Sequence, residues 1–212
     1  MKGFPVCLNN LSKPQILAFS IRNDSSTMRT ILFIILLSAF TSHASITVSG
    51  VTYATTVTVK NDTLQLNGAG VREKWFLNLY TGGLYLKKRS SNVNEIIDCN
   101  CLQVFKIVFV SSLVTTKKFN DAIDEVFIKS TQGNTTHIDK RIAQFKKALG
   151  TGLKKGDELF LIYVPNVGLQ VFRNNKYKDT VVGLDFKKEM MKLWIGPYSV
   201  NEDLKKSILG LE

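Results

Sequence analysis

Residues 64–72 read LQLNGAGVR and residues 75–86 read WFLNLYTGGLYL, and these two neighbouring segments decide the fold. The first begins with apolar residues at every second position, which is typical of a half-buried strand. The second is apolar on nearly both faces, as in a strand deep within a sheet. Gly82 and Gly83 within it suit a bend, a bulge or the close approach of a ligand.

Strand patterns and helix patterns occupy separate runs of the chain on either side of these segments. Period-two patterns recur at residues 57–59, 102–110, 158–164, 169–172 and 177–182. Helical periodicity predicts helices at about residues 119–127, 138–149 and 186–194, and a last short one after the capping-box pattern of residues 199–202. We therefore predict an α+β fold, in which one antiparallel sheet packs against helices on one face. No proline- or glycine-rich linker interrupts residues 45–212, which indicates one domain.

The first 44 residues have a different character from the rest. Residues 31–40 (ILFIILLSAF) are apolar but too short for the roughly 20 residues that a membrane-spanning helix needs. Arg29 precedes this run, and Ser42-His43-Ala44 after it offers small residues at the two positions that a signal peptidase inspects, as in a secretory signal peptide. We expect residues 1–27 to be a leader or an upstream extension and residues 28–44 to be removed by cleavage near Ala44. The alternative is a buried core helix.

This leader predicts that the domain at residues 45–212 is periplasmic or secreted and has no membrane span. The whole chain carries 28 Lys and Arg against 17 Asp and Glu. Because the lysines occur as scattered pairs, we interpret them as solvated faces that attract anions weakly, and not as a nucleic-acid site.

Most patterns that carry enzyme or cofactor chemistry are missing from the sequence. There is no nucleophile elbow, phosphate loop or zinc-protease helix, and we expect no cofactor and no metal. His137 is the single histidine after residue 44, so a catalytic triad that uses histidine could form only around this residue. Cys99 and Cys101 form a C-x-C pair, which we interpret as structural or incidental.

Arg72 is the side chain that the pattern does not explain. If no bulge interrupts its strand, Arg72 shares the apolar face of Leu64 and Leu66, where a guanidinium is costly without a partner. Tyr80 shares parity with Leu84 on the next strand, so its hydroxyl also starts on a largely apolar face. An arginine and a phenol in one apolar cleft suit a carboxylate or enolate with an apolar body.

An alternative keeps Arg72 out of any binding site. Its guanidinium could instead reach solvent or pair with an internal acid such as Glu73 or Asp185. The pattern alone leaves both interpretations open.

Two of these segments resemble the signatures of a known family. Residues 66–72 (LNGAGVR) and 80–86 (YTGGLYL) are similar to the L-x-G-x-G-V-R and Y-x-x-G-L-Y-L motifs of the chalcone isomerase-like family. Later landmarks are similar as well: residues 155–157 (KGD), 183–186 (GLDF), 193–196 (LWIG) and 204–210 (LKKSILG). The resemblance spans about residues 46–210 and implies an antiparallel sheet backed by helices. The family contains true isomerases, plant fatty-acid-binding relatives and exported bacterial members, and we place this chain in the exported bacterial branch.

The resemblance also implies roles for five positions. The arginine that holds the substrate phenolate in true isomerases matches Arg72, while the threonine of that site is Tyr80 here. The positions of the catalytic tyrosine, an asparagine and a further polar residue are Phe119, Val126 and Leu193, so most of the hydrogen-bonding set for cyclisation is missing. The fatty-acid-binding branch pairs the same arginine with a tyrosine, and the three apolar residues would then line an acyl-chain pocket.

Three functions therefore remain as hypotheses. The first is a non-catalytic carrier of a fatty acid or a similar small apolar acid, held by Arg72 and Tyr80. The second is a cell-envelope protein that acts through a protein partner and keeps a vestigial site. The third is an intramolecular lyase or isomerase for a phenolic or enolic substrate, in which Arg72 would be catalytic. An apolar cavity that reaches Arg72 favours the first, a filled core the second, and a titratable group near Arg72 the third.

Overall fold

A computed structural model describes residues 44–211 of the chain. The expected leader and nearly all of the expected signal peptide lie outside these residues. Among the residues described, no helix combines the length and the apolar character needed to cross a bilayer.

The strands form one large sheet and one small hairpin. Strands β1 and β2 pair with each other, and β3 to β9 form a seven-stranded sheet in chain order, in which every neighbouring pair is antiparallel. The strands are β1 (Ser45–Val48), β2 (Val51–Ala54), β3 (Thr56–Val59), β4 (Asp62–Lys74), β5 (Leu77–Leu86), β6 (Gln103–Phe109), β7 (Glu158–Val164), β8 (Gly168–Arg173) and β9 (Lys176–Val181). The predicted antiparallel sheet is confirmed.

Five helices complete the described part of the fold. They are α1 (Val93–Asp98), α2 (Thr116–Ser130), α3 (Asp139–Leu149), α4 (Leu184–Ile195) and α5 (Glu202–Leu209). The sequence analysis missed α1, because six residues are too few to display a helical period. Its one local signal is Asn92, whose side chain accepts hydrogen bonds from the backbone N–H groups of Asn94 and Glu95.

The two faces of the sheet have different covers. On one face, alternate strand residues such as Leu84 and Phe105 join buried residues of all five helices in the main core. On the other face, Tyr85 and Val104 pack in a second cluster with Tyr53 of the β1–β2 hairpin, and no helix contributes to it among the residues described. The prediction that helices cover one face is confirmed.

A β-bulge at Asn67 changes the parity of β4. Leu66 pairs with Tyr85, but the next pair joins Gly68 to Leu84, so Asn67 is the extra residue. Its buried amide Nδ2 donates to the carbonyl oxygens of Ser90, at 3.0 Å, and of Ile208, at 2.8 Å. After the bulge, Gly68 and Arg72 pair with Leu84 and Tyr80 of the helix-covered core, so the even-numbered residues from Gly68 to Arg72 face the opposite side of the sheet from Leu66.

Gly68 and Gly70 of β4 are required by the close packing of α5. A Cβ atom on Gly68 would overlap the backbone carbonyl of Ser207 and would lie 2.8 Å from the carbonyl oxygen of Ile208. A Cβ atom on Gly70 would lie 2.5 Å from the Cβ of Ser207. The two glycines thus allow α5 to contact the backbone of β4 directly.

Gly83 of β5 serves a similar purpose on the other face. A Cβ atom there would lie 2.6 Å from the ring of Tyr53, so the close approach belongs to a protein side chain. The Tyr53 hydroxyl donates to the buried Thr81 Oγ1 at 2.7 Å, which fixes the β1–β2 hairpin against β5.

Two predicted local features differ in the structure. Residues 75–76 were expected within a buried strand, but β5 begins at Leu77, and Trp75 and Phe76 form an exposed turn with positive φ. The expected capping box also differs, because Asn201 is the N-cap of α5 and its side chain accepts from the Leu204 N–H at 2.7 Å. The hairpin turn expected between β8 and β9 is present, with positive φ at both of its central residues.

Lys187 of α4 is fully buried, so the interpretation of the lysine pairs as solvated faces is wrong for this residue. Its Nζ donates to the carbonyl oxygens of Ile96, Ile97 and Cys99 at 2.8–3.0 Å, which ties α4 to the carboxyl end of α1. Burial lowers the pKa of this amine to about 8. The same junction contains a disulfide between Cys99 and Cys101, so this pair has a structural place in the fold.

Candidate ligand-binding site

An open cavity of about 460 Å³ lies where the β4–β5 hairpin meets α2 and the loop before it. Its inner wall is apolar and includes the buried side chains of Tyr80, Val114 and Phe119. Its mouth has charged residues on both α2 and β4. The remaining lining residues are Arg72, Lys74, Trp75, Leu77, Leu79, Leu113, Lys118, Asp121, Ala122 and Glu125.

Arg72 and Tyr80 come together in this cavity because they are direct partners across β4 and β5. The guanidinium carbon of Arg72 lies 5.5 Å from the centroid of the Tyr80 ring. This juxtaposition depends on the bulge at Asn67. The sequence analysis placed Arg72 on the face of Leu64 and Leu66 only if no bulge interrupted the strand. Because the bulge is present, Arg72 lies on the helix-covered face instead.

No carboxylate in residues 44–211 forms an ion pair with Arg72. Asp185, one of the expected internal partners, instead binds Arg141, and the two Arg141 nitrogens lie 2.6 and 2.5 Å from its oxygens. Arg72 is half-buried, so its charge is partly removed from water. This arrangement leaves the guanidinium available to an anion in the cavity.

The Tyr80 hydroxyl is held by a residue that the sequence analysis did not connect to the site. Trp194 of α4 donates from Nε1 to the Tyr80 oxygen at 3.1 Å, and its ring stacks on Phe105 with 4.3 Å between centroids. Tyr80 is only 1% exposed, and burial raises its pKa although Arg72 and Trp194 act in the opposite direction. The hydroxyl therefore stays neutral and keeps its proton as a donor.

The structure distributes the three predicted apolar residues over different places. Phe119 lines the cavity, and its ring meets that of Tyr80 edge-on with 6.0 Å between centroids. Val126, two turns later on α2, is buried and lines a neighbouring recess that also reaches Arg72. Leu193 is buried in the main core and does not line either cavity.

The charged residues at the mouth were also missed, because their proximity depends on the packing of α2. Lys118 donates from Nζ to the Leu113 carbonyl at 3.1 Å, while Lys117 binds Asp121 at 2.7 Å. Glu125 forms an ion pair with Lys129, and the hydrogen bond from that lysine lowers the pKa of the Glu125 carboxyl. Both carboxylates at the mouth are thus already paired with lysines of their own helix.

The cavity combines hydrogen-bond donors with an apolar wall. A neutral phenol and an arginine can donate hydrogen bonds to an anion, and the apolar wall can contact a hydrocarbon body. In residues 44–211, no group of three or more His, Cys, Asp or Glu side chains is arranged to hold a metal ion.

Comparison with solved structures shows the same fold in a plant protein. A fatty-acid binding protein of Arabidopsis thaliana superimposes with a TM-score of 0.65 and 14% sequence identity. The match covers 78% of this chain and 96% of the plant chain. At this level of identity, the likeness concerns the fold.

Comparison with protein sequences gives the family. None of the curated proteins matches this chain significantly. The profile of the chalcone isomerase-like family, in contrast, matches residues 45–210, the segment over which the sequence motifs were found. The chain therefore belongs to the chalcone isomerase-like family.

Proposed function

We propose that this protein is an exported, non-catalytic carrier of a fatty acid or a similar small apolar acid. Arg72 and the Tyr80 hydroxyl hold the carboxylate, and the hydrocarbon chain lies against Phe119 and the other apolar residues of the cavity wall. The observation that carries the proposal is an arginine without an ion-pair partner among residues 44–211, at an apolar cavity.

The size of the cavity supports this class of ligand. Sites for small molecules have volumes of about 300–1,000 Å³, and the cavity of about 460 Å³ lies within that range. A filled core beside Arg72 would have favoured the hypothesis of a vestigial site and a protein partner. The name of the plant neighbour, a fatty-acid binding protein, agrees with a fatty acid as the ligand.

An isomerase is less well supported by the same residues. Proton transfer needs a titratable group near Arg72. Tyr80 has a pKa raised by burial, and the two carboxylates of the cavity lining, Asp121 and Glu125, are each paired with a lysine of α2. Phe119 and Val126 are apolar where the resemblance places a catalytic tyrosine and an asparagine. Arg72 and Tyr80 can stabilise a bound anion, but Phe119 and Val126 cannot act as the base that forms a phenolate.

Isothermal titration calorimetry with palmitate tests the proposal, and hexadecanol is the matched ligand without a carboxylate. We expect palmitate to bind at micromolar concentrations and hexadecanol to bind more weakly, because only the carboxylate carries a negative charge and two acceptor oxygens for the Arg72 guanidinium. Absence of binding for a series of fatty acids would contradict the carrier function and favour a protein partner.

The Tyr80 hydroxyl is expected to contribute less than the arginine. Tyr80→Phe removes one neutral donor and should weaken palmitate binding about fivefold, the equivalent of about 1 kcal/mol. Tyr177→Phe is the control, since it removes a hydroxyl that bonds Thr180 away from the cavity. Because the Trp194 indole loses its acceptor in Tyr80→Phe, thermal unfolding of that variant should be measured beside the titration.

The exported location is tested by amino-terminal sequencing of the protein from fractionated cells. We expect a mature form that begins near Ser45 and is found outside the cytoplasm, because residues 28–44 have the three parts of a signal peptide. An uncleaved chain that stays in the cytoplasm would overturn this part of the proposal and leave ligand binding unaffected.

A further inference from the structure

The turn between β4 and β5 exposes a cluster of large apolar side chains, which we name the apolar tip. It consists of Trp75, Phe76 and Leu77, with Leu113 beside it, and these side chains are 79%, 96%, 47% and 48% exposed. Burying an apolar surface is favourable, so an exposed aromatic pair at the end of a hairpin suggests a surface on which it docks.

The backbone at the apolar tip is a tight turn, which places Trp75 and Phe76 at the exposed end of the hairpin. Lys74 pairs with Leu77, so residues 75–76 form a two-residue turn. Their φ angles are 51° and 64°, in the left-handed region where asparagine and glycine are the usual residues. Trp75 and Phe76 are poor choices for the turn itself, which implies that another requirement keeps aromatic residues there.

Two lysines, Lys74 and Lys118, lie beside the apolar tip. The Nζ of Lys74 lies 4.9 Å from the centroid of the Trp75 ring, and Lys118 bonds the carbonyl of Leu113. The carboxylates on the adjoining turns of α2, Asp121 and Glu125, are each paired with another lysine. The surroundings of the apolar tip are therefore complementary to an anionic surface.

We propose that the apolar tip docks on an anionic lipid bilayer. Trp75 and Phe76 enter the interface between headgroups and acyl chains, where aromatic residues are favoured, and Lys74 and Lys118 contact anionic headgroups. A bilayer suits this surface better than a second protein. The apolar tip is a convex two-residue turn, whereas a specific protein interface buries about 1,200–2,000 Å² in total.

The position of the apolar tip has a consequence for the cavity. Trp75, Leu77 and Leu113 also line the cavity described above, so docking brings its mouth to the membrane surface. A fatty acid that resides in the bilayer would then enter the cavity without crossing water. This consequence rests on the proposed carrier function, whereas docking itself does not.

Sedimentation with phospholipid vesicles tests the docking. The vesicles contain equal parts of phosphatidylcholine and phosphatidylglycerol and no free fatty acid, and every variant carries the same amino terminus. We expect wild type to bind, and the Trp75→Ser/Phe76→Ser double variant to bind at least about tenfold more weakly, because both aromatic side chains are removed. Binding to vesicles of phosphatidylcholine alone should also be weaker, since the lysines lose their anionic partners.

Val182→Ser and Ile128→Ser are the matched controls, since these apolar residues are 61% and 55% exposed but lie outside the apolar tip. Phe76→Ser separates docking from ligand binding, because Phe76 does not line the cavity. This variant should bind vesicles more weakly than wild type and bind palmitate as tightly as wild type. Three results would overturn the docking proposal: no binding by wild type, equal binding by the double variant, or self-association that the double variant abolishes in the absence of vesicle binding.

Discussion

Arg72→Ala is expected to weaken the binding of palmitate by at least about tenfold. Hydrogen bonds that involve a charged group contribute about 1.5–3 kcal/mol each, and 1.4 kcal/mol corresponds to a tenfold change in affinity. The half-buried guanidinium has no carboxylate partner among residues 44–211, so its charge is available to the ligand. The measurement is isothermal titration calorimetry of wild type and variant under identical salt conditions.

Arg89→Ala is the control for the loss of one positive charge, because Arg89 is exposed and does not line the cavity. Arg72→Lys should bind with intermediate affinity, since an ammonium keeps the charge but not the planar fork of donors. If Arg72→Ala binds palmitate as tightly as wild type, the carboxylate is not held at Arg72.

Gly68→Ala is expected to lower the free energy of unfolding by about 3 kcal/mol, among the larger effects of overpacking. A Cβ atom at this position overlaps the backbone carbonyl of Ser207 in the last turn of α5. A backbone group within a helix cannot rotate away, so α5 must shift from the sheet. Urea unfolding measures the loss as a lower midpoint at an unchanged slope.

Gly82→Ala is the matched control in the neighbouring strand. Its added Cβ would lie 3.1 Å from the ring of Phe105, a side chain that can adjust by a few tenths of an ångström. The cost should therefore be clearly smaller than for Gly68→Ala. Equal stability of Gly68→Ala and wild type would show that α5 does not pack directly on this glycine.

The sheet could be predicted from the sequence because successive residues of a strand point to opposite faces, and apolar residues cover both faces of this sheet. Leu84 and Tyr85, neighbours on β5, enter opposite cores, and the alternation along the later strands carries the same signal. The helices α2 and α3 could be predicted equally well, since the buried residues of each form one apolar stripe. Local periodicity is sufficient for these elements because burial on one face is a local pattern.

The bulge at Asn67 could not be predicted, and it determines the face on which Arg72 lies. Its cause is tertiary: the Asn67 side chain bonds Ser90 and Ile208, residues that are distant in sequence. The pairing of Arg72 with Tyr80 was nevertheless anticipated, through motif resemblance and strand adjacency. Trp194 was missed for the same kind of reason, because only the packing of α4 brings its indole to the Tyr80 hydroxyl.

The turn at Trp75 and Phe76 was predicted incorrectly because its residues do not carry turn chemistry. Two aromatic residues after a strand extend an apolar run, and a pattern of hydrophobicity therefore places them inside the sheet. Their exposure is a large departure from the local rules, and such departures are concentrated at functional surfaces.

Carbon-13 NMR of palmitate labelled at its carboxyl carbon tests the central claim most directly, since it observes the group that Arg72 is proposed to hold. A carboxylate beside a guanidinium keeps its charge to lower pH, so its pKa falls below the ordinary carboxyl value. In the complex with wild type, we predict one bound carboxyl resonance whose pKa lies below this ordinary value. In the complex with Arg72→Ala, the pKa of the bound carboxyl should no longer be lowered. A bound resonance that titrates at or above the ordinary value would contradict the account.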